Sequence, residues 1–200
     1  MPEAGARARP GRPSTGARER ILEAALEVLK ADGYAGMTTA KVAARSGQNK
    51  ALIGYHFGSK QGLVAAVARE VSDAMMTELL EAIGNPQSVE ELAGGAAAGL
   101  ATIAARDPGL ARLYFDLASQ SIADDEVRSI MTEMRDGFRG VLEELLVSLG
   151  VKRRDSEPAA IYLMGALEGL ALEQLERGET RALRRARELF VRSAPTVAYT

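Results

Sequence analysis

Residues 33–67 read GYAGMTTAKVAARSGQNKALIGYHFGSKQGLVAAV, and this stretch decides the fold. Its apolar periodicity predicts two short helices, at residues 39–45 and 50–56. Only the tight turn Ser46-Gly47-Gln48 separates them. Because glycine permits a sharp reversal, this layout is typical of a helix-turn-helix, in which the second helix can enter the major groove of DNA.

The second short helix has an inner and an outer face. Ile53 and Phe57 lie four residues apart and should pack against Val42 and Ala43 of the first helix. The opposite face should meet DNA, because an exposed leucine and tyrosine beside a lysine suit water poorly. It carries Lys50, Ala51, Leu52, Tyr55 and His56. A packed or solvent-facing side chain is the other interpretation of His56.

Groups that can hold phosphate should flank this helix on both sides. Thr38 or Thr39 caps the first short helix, where its hydroxyl group and the free backbone N–H groups can bind a phosphate. Lys60 begins the next helix and is placed to meet the DNA backbone on the other side. Lys41 either contacts DNA as well or is an ordinary solvated charge.

The charges of the chain are distributed unevenly. The 200-residue sequence has a formal net charge of −2, but residues 1–62 carry 10 Lys and Arg against 5 Asp and Glu. Residues 63–200 carry 15 against 22. A basic N-terminal part suits a polyanionic partner, and a merely solvated surface explains so small an excess equally well.

The composition excludes several kinds of site. The sequence has no cysteine, so disulfides, thiolate zinc sites and cysteine nucleophiles are excluded. His56 is the only histidine and has no second histidine or cysteine to complete a metal site. Because residues 63–200 contain no catalytic constellation, we expect no enzyme activity, no cofactor and no metal. No signal peptide and no bilayer-spanning apolar run is visible, so we expect a cytoplasmic protein without a membrane partner.

Helical periodicity and turn signals continue along the chain and predict an all-α fold of about nine helices. The predicted ranges are 17–32, 39–45, 50–56, 60–83, 89–105, 108–121, 125–149, 157–177 and 179–192. Ser156-Glu157-Pro158 should start the eighth helix, because proline is favoured in the first turn. Residues 194–200 should form a loose tail.

The quoted stretch resembles the DNA-binding domain of the TetR family of bacterial transcriptional regulators (TetR/AcrR type). The elements that carry the resemblance are Thr38-Thr39, Ala43-Ala44-x-x-Gly47, Tyr55-His56-Phe57 and Ser59-Lys60. The sequence departs from the family pattern at Gln48, Leu52 and Gly54. The resemblance implies a phosphate anchor at Thr39, a backbone contact at Lys60, and recognition-helix contacts at Asn49, Lys50, Ala51, Tyr55 and His56.

The N-terminal arm contains a second candidate for DNA binding. Residues 9–13 include Gly-Arg-Pro, which resembles AT-hook segments. In such segments an extended arginine, here Arg12, enters a narrow A·T-rich minor groove. A disordered, solubilising arm is the alternative interpretation.

The predicted eighth helix includes IYLMGALEGLALEQL at residues 161–175, which is apolar nearly all the way round. Such a helix must be buried on more than one side, either in the core of a monomer or between its own core and a partner. The TetR resemblance implies a dimer in which the last two helices of each chain form a four-helix bundle. The predicted interface residues are Ile161, Gly165, Glu168, Gly169 and Leu172.

Aromatic and methionine side chains gather on the predicted sixth, seventh and eighth helices. By periodicity these are core residues. The TetR resemblance implies that such a core encloses a pocket for a small-molecule effector, here a largely apolar one. The predicted pocket residues are Tyr114, Phe115, Met131, Met134, Phe138, Tyr162 and Met164.

These observations predict three segments: a flexible basic arm (1–16), a helix-turn-helix DNA-binding domain (17–62) and a helical ligand-binding and dimerisation domain (63–200). We expect a homodimeric repressor that binds a palindromic, double-stranded DNA operator, joins the nucleoid when bound, and is released by an effector. One alternative is an architectural DNA-binding protein that needs no effector. The other is an enzyme whose basic N-terminal part is incidental.

Overall fold

The computed structural model describes residues 15–199, which form nine α-helices and no strand. The all-α architecture is therefore confirmed. In these residues no helix combines the length and apolarity needed to cross a membrane. The helices are α1 (Thr15–Gly36), α2 (Thr39–Ser46), α3 (Lys50–Phe57), α4 (Lys60–Ile83), α5 (Val89–Arg106), α6 (Pro108–Gln120), α7 (Asp125–Ser148), α8 (Arg153–Arg177) and α9 (Arg181–Ala198).

Helices α2 and α3 form the helix-turn-helix and pack on α1 and α4. Gly47 ends α2 with φ 65°, a left-handed conformation that favours glycine, and so allows the chain to reverse. Val42 and Ile53 are fully buried between the two helices and the start of α4. Phe57 is half-buried against the same cluster. The expected inner face of α3 is therefore present.

The core of this N-terminal unit continues into the rest of the chain. One cluster of buried side chains joins α1–α4 to Leu113 and Leu117 of α6 and to Val127 and Ile130 of α7. A second cluster joins α5, α8, α9 and the end of α7. No break in packing separates residues 17–62 from the body, because α6 and α7 share this cluster with α1–α4.

The start of α8 differs from the prediction. The helix begins at Arg153, not at Glu157, and its N-cap Lys152 provides no side-chain hydrogen bond. Ser156 is fully buried in the first turn, where its Oγ donates to the Arg153 carbonyl at 2.9 Å. The added turn is stabilised by the ion pair of Arg153 with Glu144 at 2.5 Å.

The C-terminal residues also differ from the prediction. The loose tail expected from residue 194 is wrong, because α9 continues through Pro195 to Ala198. Ala194 and Ala198 are fully buried in the second cluster. The Tyr199 hydroxyl group donates to the Leu149 carbonyl at 2.7 Å. Tertiary packing therefore outweighs the backbone hydrogen bond that the proline removes.

Candidate nucleic-acid interface and internal cavity

The outer face of α3 carries several of the residues predicted to contact DNA. Tyr55 is 72% exposed, and Lys50 and Ala51 are also exposed. Asn49 caps the helix, with its Oδ1 accepting from the Ala51 N–H at 2.9 Å. Leu52 is the exception, since it is half-buried against the core cluster. Among residues 15–199, Lys50 has no ion pair, so its charge is available to an external anion.

His56 is less accessible than the sequence prediction requires. Its ring lies between Tyr55 and Phe57, with centroid distances of 5.2 Å and 6.0 Å. Its Nε2 atom is buried and has no hydrogen-bond partner. Any contact of His56 with DNA would therefore have to use another edge of the ring.

The N-terminus of α2 is arranged as a cap. The Thr38 hydroxyl group accepts from the Lys41 N–H at 3.2 Å, which identifies Thr38 as the capping residue and Thr39 as the first helical one. The Lys41 ammonium group donates to Asp32 at 2.7 Å and to the Gly36 carbonyl at 2.9 Å. Lys41 is thus held within the chain.

Lys60 is held in a similar way. Its Nζ donates to the Tyr34 carbonyl at 2.6 Å and lies 4.3 Å from the centroid of the Tyr34 ring. An ammonium group has three donors, so this contact leaves others for a phosphate. Arg12, the predicted minor-groove residue, lies outside the described residues.

The body of the protein contains a cavity of about 150 Å³, which is lined by residues of all six helices from α4 to α9. Four of the predicted pocket residues line it: Tyr114, Phe115, Phe138 and Met164. The sequence prediction missed the contribution of α4, although its apolar side chains recur at helical spacing. These are Met75, Met76, Leu79, Leu80 and Ile83.

The other three predicted pocket residues lie elsewhere. Met131 is 3% exposed and belongs to the cluster shared with α1–α4. Tyr162 is 55% exposed, because two residues along a helix correspond to about 200°, which turns it away from the face of Met164. Met134 lines a second cavity of about 300 Å³ between α4 and α7. Met131 and Tyr162 therefore do not line the first cavity.

One polar cluster lies on the otherwise apolar wall of the first cavity. The Tyr114 hydroxyl group donates to Glu168 Oε1 at 2.5 Å. Arg135 donates from Nε to the Tyr114 oxygen at 3.0 Å and from a terminal nitrogen to Glu168 Oε2 at 2.5 Å. Glu168, predicted at the dimer interface, thus faces the cavity. Glu168 is the lone charge between residues 158 and 172, and this position is a sequence signal for the role.

One side of α8 is exposed to solvent although its residues are apolar or glycine. Ile161, Gly165, Gly169 and Leu172 follow one another at helical spacing along this side, and all four are exposed. A Cβ atom added at either glycine would meet no atom within 4 Å. Leu189 of α9 is exposed as well.

Helix α6 is fixed to α1 by two carboxylates. Asp107 accepts from Lys30 Nζ at 2.7 Å, and Asp116 accepts from the Tyr34 N–H at 2.6 Å. The bond from Lys30 lowers the pKa of Asp107, and the bond to Asp107 raises the pKa of Lys30. Gly33 has φ 70°, and a Cβ there would lie 3.0 Å from Asp116 Oδ2. Glycine therefore allows this close approach.

Two family models match the chain. The model described as bacterial regulatory proteins, tetR family, matches residues 21–67. The model described as tetracyclin repressor-like, C-terminal domain, matches residues 87–195.

Individual proteins are also similar to this chain in sequence or in structure. Nucleoid occlusion factor SlmA from Vibrio campbellii is 24% identical over 165 residues, which cover 80% of this chain and 84% of SlmA. The HTH-type transcriptional repressor AcnR from Corynebacterium glutamicum is 36% identical over 70 residues, 35% of this chain and 37% of AcnR. The crystal structure of the transcriptional regulator FadR from Bacillus subtilis in complex with stearoyl-CoA has a TM-score of 0.73 at 18% identity and covers 90% of this chain and 98% of FadR.

Proposed function

The chain belongs to the TetR family of bacterial transcriptional regulators, and we propose that it is a repressor released from its operator by a largely apolar small molecule. In this proposal it acts in the cytoplasm, as a homodimer on a palindromic site. The fold and family are those of DNA-binding regulators. The finer steps rest on the surfaces and the cavity described above.

Helix α3 is the proposed recognition helix. Tyr55 and Lys50 read base edges, because both side chains leave the protein surface and Lys50 has no ion pair among the described residues. Asn49 and Ala51 contact DNA beside them. Thr38, Thr39 and Lys60, with Lys41 nearby, hold backbone phosphates at the N-termini of α2 and α4. Leu52 and His56 contribute chiefly through packing and the accessible edges of their side chains.

The exposed side of α8, together with α9, is the proposed dimer interface. The glycines at 165 and 169 let a partner helix approach closely, while Ile161 and Leu172 supply apolar contact. A two-fold dimer places two α3 helices on one face of DNA, about 34 Å apart or a multiple of that distance. This is the arrangement that a palindromic operator requires.

A single observation carries the proposal of effector control. One side of α6 lines the cavity, and the other side packs against the DNA-binding unit, which consists of α1–α4. Leu110, Tyr114 and Phe115 line the cavity. Asp107, the N-cap residue of α6, and Asp116, within the helix, bind α1. A ligand that displaces α6 therefore changes the position of α1. Release from DNA further requires that the ligand binds the DNA-competent state less tightly than the released state.

The proposal can be tested by selecting bound sequences from a random DNA pool. The expected result is a palindrome that binds two protomers, with affinity lost in Tyr55→Ala. Ile122→Ala is the matched control, since Ile122 is an exposed apolar side chain of the α6–α7 turn and belongs to neither α3 nor α8. Recovery of no preferred sequence, or equal binding by both variants, would contradict the proposal.

The similarity to SlmA supports a second candidate, an effector-independent architectural DNA-binding protein, since SlmA is named a nucleoid occlusion factor and matches 80% of the chain. This candidate predicts many sites in the genome. It also predicts that ligands occupying the cavity leave operator affinity unchanged. The same DNA selection, repeated with a bound ligand, distinguishes the two.

A further inference from the structure

The polar cluster of Tyr114, Arg135 and Glu168 constrains the kind of molecule that the cavity accepts. The three side chains come from α6, α7 and α8, and they are the polar groups on a wall made otherwise of aliphatic, aromatic and methionine side chains. Because buried polar groups need partners, a ligand that fills the cavity must either leave this cluster intact or replace one of its members.

A ligand can replace Arg135 at a lower cost in free energy than Glu168. Its side chain is 45% exposed, whereas that of Glu168 is 29% exposed. An arginine at the rim can turn outward and keep its charge in water. A displaced Glu168 would leave its carboxylate against an apolar wall without a cation, which is unfavourable.

Tyr114 stays as a donor through such an exchange. Burial, followed by the bond to Glu168, raises the pKa of Tyr114 to about 12, so the phenol is neutral at physiological pH. Its hydroxyl group therefore continues to donate to Glu168 when Arg135 leaves. The second carboxylate oxygen then needs a new donor that carries positive charge.

The surrounding side chains suit a cation attached to an apolar body. Phe115, Phe138 and Phe190 line the cavity, and aromatic faces attract cations. Met75, Met76 and Met164 add adaptable, polarisable contacts for the apolar part. No other acidic side chain lines this cavity among the described residues, so a ligand has one place for one positive charge.

We propose that the effector is an apolar amine whose protonated N–H group replaces the Arg135 guanidinium at Glu168. This inference rests on the proposed function, in which the cavity is the effector site. The exchange also loosens the link between α7 and the cavity face of α6, because Arg135 no longer bonds to Tyr114.

Three probes with the same chain test the inference: decylammonium, decanol and decanoate, each titrated calorimetrically into the full-length protein below its micelle concentration. We expect decylammonium to bind at least tenfold more tightly than decanol, and decanoate to bind most weakly. Equal affinities, absence of decylammonium binding, or tightest binding of decanoate would overturn the inference.

Two variants identify the groups responsible. Glu168→Gln should remove the preference for decylammonium and leave decanol binding within about threefold, since the apolar wall is unchanged. Arg135→Met should strengthen decylammonium binding severalfold, because the competing guanidinium is gone. Glu173→Gln, on the same helix but paired with Arg177 outside the cavity, is the control and should change neither affinity.

Each of the two variants can contradict the inference independently of the other. Weaker decylammonium binding in Arg135→Met would contradict it even if Glu168→Gln does not fold. Failure of the proposed function has another signature, in which decylammonium binds as expected but operator affinity stays constant.

Discussion

Tyr55 extends from α3 into solvent, and among residues 15–199 its ring contacts that of the neighbouring His56. Tyr55→Ala should therefore change the free energy of unfolding by less than about 0.5 kcal/mol. The same change should weaken operator binding by about 1–3 kcal/mol and relax base preference at one or two positions. Urea unfolding and titrations on operator variants measure the two quantities. A uniform loss on all sequences would show that Tyr55 does not read bases.

Lys60 should behave differently, because its ammonium group is already bound to Tyr34. Lys60→Ala should lower the free energy of unfolding by about 1 kcal/mol through loss of this contact. If Lys60 also holds a phosphate, the slope of log affinity against log salt should fall by about one per DNA-binding unit. Arg69→Ala, on the same helix and paired with Glu133, is the charge-matched control. An unchanged salt slope would restrict Lys60 to its structural contact.

Single residues also mark the limit of sequence-based prediction of the site. The outward position of Tyr55 follows from helical periodicity, because the register of α3 is fixed by the buried Ile53. The placement of Lys60 on Tyr34 does not follow, since it depends on a contact across 26 residues. The pairing of Glu168 with Arg135 and Tyr114 likewise requires the relative rotation of three helices, which no local pattern provides.

Among the elements, α6 is anchored to α1 by a pH-dependent ion pair. The pKa of Asp107 is lowered by its bond from Lys30, so its contribution to stability is present above about pH 4 and is lost as the pH falls through the pKa of the folded state. The pKa of Lys30 is raised by the bond to Asp107, so its contribution is present below about pH 10 and is lost as the pH rises through the raised pKa.

Asp107→Asn separates this ion pair from the helix cap, because an asparagine oxygen can still accept from the N–H groups of Gly109 and Leu110. The variant should lose about 1 kcal/mol of stability between about pH 5 and pH 9, and less at both extremes. Asp107→Ala should lose about 1 kcal/mol more at every pH through the missing cap. Unfolding curves across pH measure both effects, and a pH-independent loss in Asp107→Asn would rule out the ion pair as its cause.

The helix predictions succeeded where a local sequence signal marks the start of a helix. Side-chain caps at Ser88, Asp107 and Asp124 are local signals, and α5, α6 and α7 begin directly after them. Pro158 misled, because it lies inside a helix whose first turn contacts Glu144 through Arg153. The predicted C-terminal tail failed for a similar reason, because Ala194 and Ala198 on either side of Pro195 are buried in the second cluster. A residue that weakens an isolated helix does not end a helix whose turns before and after that residue are packed against the rest of the protein.

At the scale of the whole molecule, dimerisation should depend on the exposed side of α8. A Cβ atom added at Gly165 would meet no atom of the protomer within 4 Å, so the fold should persist in Gly165→Leu while a close-packed partner helix is excluded. The dissociation constant of the dimer should rise at least tenfold. Operator affinity should fall as a result, because bivalent binding is lost. Gly140→Leu, an equally open and exposed position on α7, is the control. Light scattering reports the mass; an unchanged dimer in Gly165→Leu would place the interface elsewhere.

The coupling between cavity and DNA-binding unit is tested most directly by measuring operator affinity with and without a saturating ligand that raises the melting temperature, such as decylammonium. Ligand affinity is then measured with and without saturating operator. Thermodynamic linkage requires both affinities to fall by the same factor, and we expect at least tenfold, a coupling of about 1.4 kcal/mol. A ligand that stabilises the protein to heat but leaves operator affinity unchanged would contradict this account.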